Sequence, residues 1–224
     1  FRSLWAAFRQ AAMRDHLDAR LGAWRWDADI QTSRLSFIAV DDERRRVDTR
    51  LHFVASLAPG PRSMVWGWAH PQAAGSPAVA RLREIGEQYR IDDLTSPEVP
   101  FGDAVPGDDV QADIAELAHV VAAAAVEVSG LAPYYSAPAG SSRVVMLVEG
   151  LELPPADFAS DMARLGSTLF ESATTDHAVS LRGYARHGGF HVTTAPDGRS
   201  DELTDGRSRI TVTWDEAGRP TNIT

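Results

Sequence analysis

Two imidazoles stand four residues apart in His187-Gly188-Gly189-Phe190-His191, and Asp176-His177 lies just upstream. On a helix that spacing would aim both rings at one metal ion, with a third ligand from the 176–177 pair. The two glycines and the strand-like neighbours predict a hairpin turn instead, with exposed histidines, so no metal is expected. Carboxylates gather at Asp108, Asp109, Asp113 and Glu116. At the head of a predicted helix they serve as capping and dipole partners, ahead of any acid–base role. Asp157 and Asp161 repeat this placement, and Glu84 and Glu87 flank an apolar stripe as solvated residues.

The aromatic pairs are the other candidates. Trp24-Arg25-Trp26 and Trp66-Gly67-Trp68 each put two indoles at i and i+2, on one face of a strand. Trp66 and Trp68 are therefore expected to face the same interior, with Pro71 ending the pairing. Trp26, Trp66, Trp68, His70, Tyr134 and Tyr135 would either pack as a core or line an apolar pocket. In the second case indole N–H and phenol O–H groups would supply its polar edges.

Composition excludes more than it suggests. All 22 basic residues are Arg, so a Schiff-base lysine, a pyridoxal-phosphate site and a phosphate-loop lysine are ruled out by identity. Cys is absent, which removes thiol nucleophiles, disulfides, Cys-ligated zinc and iron–sulfur clusters. No Gly-x-Ser-x-Gly elbow and no Gly-rich phosphate loop occurs, and no cofactor is expected. The net charge of −9 argues against nucleic acid as a partner. Arg44-Arg45-Arg46, the one dense basic run, follows Asp41-Asp42-Glu43 and is neutralised by it. No apolar run reaches the ~20 residues of a membrane span. Without Cys or a signal pattern, the chain is expected to be cytoplasmic.

Elements follow from periodicity. Leu4, Phe8, Ala11, Leu17 and Leu21 outline an amphipathic helix ending near Gly22. Extended segments are predicted around Trp24–Trp26, at 34–38, and at 47–55, where Val47, Thr49, Leu51, Phe53 and Ala55 alternate with polar residues or Val54. With the Trp66/Trp68 strand they make a four-stranded antiparallel meander. Ser76-Pro77 starts a helix to Tyr89, a Pro/Gly/Asp-rich loop fills 92–107, and a long helix spans 108–129, closed by Gly130. Tyr134-Tyr135 leads through a loop of small residues into Val144–Val148, an apolar run expected to be covered on both faces. After Pro154-Pro155 come a helix on Phe158, Met162, Leu165 and Leu169, and then strands at 178–185, 189–194, 209–214 and 221–223. Asp197-Gly198, Asp205-Gly206 and Ala217-Gly218 mark the turns among them.

One resemblance adds to this. Trp26-Asp27-Ala28-Asp29 with Leu35-Ser36-Phe37, Trp66-Gly67-Trp68-Ala69-His70-Pro71, Leu82-Arg83-Glu84-Ile85-Gly86-Glu87, Ile91-Asp92-Asp93-Leu94-Thr95 and Tyr134-Tyr135 with Pro138 occur in this order. Over residues 24–150 the chain resembles an uncharacterised, mainly actinobacterial family, a domain of unknown function. Members usually carry Asn where this chain has His70. The resemblance implies no activity, cofactor or site residue.

The sequence thus predicts an α+β protein, with antiparallel meanders and helices packed on one face. Two helix-plus-meander units are suggested, at 1–150 and 151–224, the second docked on the first. The leading functional expectation is a non-enzymatic binding or interaction module with a Trp-rich sheet face, acting on a protein or small-molecule partner. A homodimer is compatible with the chain. The alternative is a hydrolase-like enzyme, which requires His70, His187 and His191 to converge with a carboxylate.

Overall fold

Strand β3, Arg46–Ala58, is the element around which the larger part of the molecule is built. The computed structural model describes residues 3–73, 75–105, 109–171 and 176–224, with the side chains of 169–171 set aside. Asp108 of the acidic group and the Leu169 side chain of the predicted stripe lie outside the described residues. The elements are α1 (Leu4–Leu21), β1 (Trp24–Asp29), β2 (Arg34–Ala39), β3, β4 (Ser63–Trp66), α2 (Pro77–Tyr89), α3 (Asp92–Thr95), β5 (Glu98–Pro100), α4 (Val110–Ser129), β6 (Tyr134–Ala139) and β7 (Ser142–Glu149). They are followed by α5 (Phe158–Glu171), α6 (His177–Gly188), β8 (His191–Thr194), β9 (Ser200–Thr204), β10 (Arg209–Trp214) and β11 (Pro220–Ile223). Every strand pairing is antiparallel and the protein is α+β. It divides into two compact units, Gln10–Leu153 and a second made of the residues up to Arg9 together with Pro154–Thr224.

In the larger unit β3 has a partner on each edge. Arg50 pairs with Arg34 of β2 and Glu149 of β7, and Ala55 pairs with Trp66 of β4 and Val145 of β7. β2 and β4 therefore follow one another along one edge, and β7 takes the other. Period two places Val47, Leu51 and Phe53 on one face, where they pack with Leu35, Phe37, Met146 and Val148 against Met13, Leu17 and Leu21 of α1. The register then slips between Phe53, opposite Met146, and Ala55, opposite Val145. Val54 is the extra residue of a bulge, which bends the strand and resets its alternation. Ala55 was expected in phase with Phe53; the bulge moves it, and its partner Trp66, to the opposite face. That face carries Val145 and Leu147 and is covered by α4, with α2 beside it. Val145 to Val148 are all buried, as expected for a strand covered on both sides.

Gly67 holds the bulge in place. Its N–H donates to the Val54 carbonyl at 2.7 Å, and a Cβ there would sit 1.8 Å from the Phe53 carbonyl oxygen. The obstacle is backbone, so no rotamer relieves it. β4 ends at Trp66, and residues 67–69 form a turn, so the expected strand does not reach Trp68.

Several other expectations change here. The 92–107 segment contains α3, β5 and a short 3₁₀ turn at Gly102–Ala104. The long helix starts at Val110, because the Asp109 carboxylate caps it by accepting from Ala112 N. Tyr134–Ala139 is a strand rather than a loop, closed onto β7 across Gly140, whose φ is +64°. In the second unit, 178–185 is the helix α6 and not a strand. Ala178, Leu181, Tyr184 and Ala185 fall on one buried face at helical spacing, Asp176 caps the start, and Gly189 at φ +71° ends it. The four-stranded meander runs β8-β9-β10-β11 and includes β9, which the sequence reading missed.

The core of that second unit combines Leu4 and Phe8 of α1 with Phe158, Leu165, Leu181, Tyr184, Leu203, Val212 and Trp214. Two predictions follow. Gly67→Ala should cost roughly 3 kcal/mol, the upper range for overpacking, read as a fall in the denaturant midpoint. An unchanged midpoint would mean that the bulge is not held by close approach at this position. Residues 155–224 made without the first nine should give an NMR amide spectrum near random-coil shifts, and a peptide of residues 1–21 should restore dispersion. Dispersed signals from the fragment alone would show that Leu4 and Phe8 are dispensable.

Candidate functional site

The six pocket candidates do not form one site. Tyr134 and Tyr135 are neighbours on β6 and point to opposite faces. Tyr135 joins Trp26, Trp24 and Phe37, with ring centroids 5.3 to 6.0 Å apart in tilted and edge-on contacts. This is a half-buried aromatic cluster on the α1 side of the sheet, and the Trp24 indole N–H is spent on Asp18 at 2.7 Å. His70 lies edge-on to Phe53 at 5.0 Å, and its Nδ1 accepts from Gln72 N. Tyr134 is buried on the other face, its hydroxyl 2.6 Å from His119 Nδ1 of α4 and donating to Gln10 Oε1. Trp68 is half-buried in its turn beneath the Arg83 guanidinium, 5.2 Å from the ring centroid, instead of sharing an interior with Trp66.

Trp66 lines an apolar groove. Its indole is 3% exposed, and Nε1 donates to the Asp93 carbonyl at 2.7 Å. Beside it runs a groove of about 360 Å³, walled by Leu117, Val121 and Ala124 of α4 and by Ile91, Leu94 and Phe101 of the facing segment. That segment is placed by Gly86, where a Cβ would stand 2.6 Å from Leu94 Cβ, so α2 and α3 touch at van der Waals distance only with glycine. It is anchored further by the Arg62 guanidinium, which donates to the Val105 carbonyl. α4 meets the sheet through Ala118, Ala122 and Ala125, and its larger Leu117 and Val121 flank the groove. Leu117 and Ala124 are half-exposed and wall the groove. Among the described residues Asp93 is the one ionisable residue in the lining, and its carbonyl is already used.

A second, polar depression of about 640 Å³ opens beyond the covered part of the same face, at Thr32, Arg34, Asp48, Arg50, Glu149 and Gly150. The Arg46 guanidinium, first, and then the Ser36 hydroxyl hold the Asp48 carboxyl below the usual carboxylate range. At its border His52, 6% exposed, lies between Ser76 and Glu149. Sequence reasoning missed His52 because it sits as the polar residue in an alternating strand. Its partners are 24 and 97 residues away, and only the sheet register brings them together.

His70, His187 and His191 were the histidines required to converge. His187 ends α6, stacked on Trp5 at 6.0 Å, and its Nε2 accepts from Arg186 at 3.2 Å. His191 opens β8 and is exposed. The expected hairpin turn is in fact a helix end followed by a strand. His70 belongs to the other unit and approaches Phe53 rather than a carboxylate.

Both depressions lie between residues 32 and 150. A model of a family of unknown function (DUF6882) matches residues 2–151. The chain belongs to that family. The match begins earlier than the resembling motifs and takes in the first helix as well. No curated protein and no solved structure matches the chain. Among the described residues no helix is long and apolar enough to cross a membrane.

Burial raises the Tyr135 hydroxyl to about 12, against a smaller opposite pull from Arg14 and Arg143. The native state thus keeps a proton that the unfolded chain releases near 10, so this contribution is intact below pH 10 and fades as pH climbs towards 12. The stability of wild type should fall across that window, and Tyr135→Phe should fall less steeply. Parallel curves would contradict the burial of Tyr135 in the aromatic cluster.

Proposed function

We propose that this protein is a binding module that takes a small, neutral, apolar molecule into the groove beside Trp66. The observation that carries this is the groove itself: about 360 Å³ walled by aliphatic and aromatic side chains, within the usual size of ligand sites. A polar headgroup would find few unspent partners, because the indole N–H and the Asp93 carbonyl satisfy each other. Filling such a groove offers roughly 25 cal/mol for each Å² of apolar surface removed from water.

The groove also replaces the Trp-rich sheet face as the binding surface. Trp24 and Trp26 are consumed in the aromatic cluster, whereas Trp66 is left with a free neighbour volume by the bulge at Val54. A neutral apolar fluorophore such as N-phenyl-naphthylamine tests this. Its emission should rise on mixing with wild type and be displaced by medium-chain alcohols. Ala124→Phe, which places a ring in the groove, should weaken binding at least about tenfold, or 1.4 kcal/mol, with Tm unchanged or higher. A variant that binds as well as wild type would show that the fluorophore sits elsewhere and that the groove is not the site.

A further inference from the structure

We propose that Ser76, His52 and Glu149 form a nucleophile–base–carboxylate chain that transfers the acyl group of a small polar ester to water. This is separate from the groove and does not rest on it. Ser76 Oγ lies 2.7 Å from His52 Nδ1, and His52 Nε2 lies 3.1 Å from Glu149 Oε2. An ionised carboxylate only accepts, so its partner Nε2 carries the proton and the Nδ1 lone pair faces the serine hydroxyl. That is the tautomer a general base needs. The roles of the two ring nitrogens are exchanged relative to the familiar serine proteases, but the chemistry asks only that one nitrogen take the proton while a carboxylate holds the other.

Ser76 itself gives an independent sign. It is the N-cap residue of α2, with extended backbone at φ −126° and ψ 122°, yet its side chain makes no capping bond. A serine cap is worth about 1 kcal/mol to a helix. Here the hydroxyl is turned to an imidazole that β3 and β7 hold nearly fully buried. Ser76 is partly exposed, and Glu149 lines the open polar depression, so the chain runs from buried ring to accessible surface. The depression is charge-balanced: Arg34 faces Asp27 at 3.5 Å, Arg46 faces Asp48 at 2.6 Å and Arg50 faces Glu149 at 3.8 Å. Such a surface favours a neutral polar substrate over an anion.

In the reaction, Ser76 Oγ attacks the ester carbonyl as its proton passes to His52 Nδ1, and the imidazolium is stabilised by Glu149. Pro77 has no amide hydrogen, and the amides of Val79 and Ala80 donate to the Ser76 carbonyl. In the proposed reaction the amide of Ala78, in the first turn of α2, takes the developing oxyanion. Collapse expels the alkoxide, which takes the proton from Nδ1 and leaves as the alcohol. Water then repeats the attack on the acyl-serine, delivering a proton to Nδ1 and releasing the acid as the proton returns to Ser76 Oγ. Ser76 and His52 are the catalytic residues, and Glu149 is a positioning residue.

The test uses the full chain with a fluorophosphonate, which phosphonylates an activated serine and releases fluoride. One adduct is expected, mapped to Ser76 within the peptide 63–81 that cleavage after Arg62 and Arg81 releases. Turnover of p-nitrophenyl acetate should fall at least about 100-fold in Ser76→Ala and in His52→Gln, the usual worth of a general base. Glu149→Gln should lower kcat with KM unchanged, a split that a merely structural carboxylate would not produce. Should Ser76→Ala fail to fold, the adduct map on wild type decides. A folded wild type that takes no adduct at Ser76, or a Ser76→Ala variant that hydrolyses the ester at the wild-type rate, overturns the proposal.

Discussion

One extra residue in β3 determines where the functional surfaces lie. Without the bulge at Val54, Ala55 would continue the face of Leu51 and Phe53, and Trp66, its cross-strand partner, would join Trp24, Trp26 and Tyr135 in one aromatic layer. With it, the sheet carries two unlike faces. One is sealed by Met13, Leu17 and Leu21 of α1 and by aromatic contacts. The other gains a buried indole, worth roughly 4–6 kcal/mol at the area a tryptophan buries, that is not fully enclosed by its neighbours. The Gly67 N–H donates to the Val54 carbonyl at the bulge, in a space only glycine fits.

The same strand brings the polar chemistry together. Arg34, Arg50 and Glu149 are successive cross-strand neighbours on β2, β3 and β7, and His52 is the next residue inward on that face. Past His52 the face becomes apolar and helices cover it; before it, the face is open and charged. His52 stands at that boundary, with a solvent-side carboxylate at one nitrogen and the N-cap serine of a helix at the other. The second unit uses its buried polar group differently. Asp201 is fully buried but accepts from Arg182, Thr194 and Trp214, so the desolvation of its charge is offset by three partners and no lone pair is left for chemistry.

Periodicity made the helices at 4–21, 77–89 and 110–129 and the first three strands legible, because each buries one regular face. The α+β class followed from them. What periodicity could not show was a change of phase: nothing in Phe53-Val54-Ala55 marks Val54 as the extra residue, since all three are apolar. Short alternation misled at 178–185, where Ala-Val-Ser-Leu fits both a strand and a helix; the deciding features are the Asp176 cap and Gly189. The two tyrosines were read correctly as aromatic and incorrectly as partners, since adjacent strand residues must part. His52 was illegible for a different reason. A single histidine gains meaning from Ser76 and Glu149 only after the sheet register is known.

NOE contacts of the Trp66 indole in the intact protein test the central role of the bulge most directly. The indole protons should show cross-peaks to methyl groups of Leu94 and Val121, which border the groove with Trp66, and none to the rings of Phe37 or Tyr135. Cross-peaks from Trp66 to those rings would place it on the α1 face and show that β3 runs through Val54 without a change of phase.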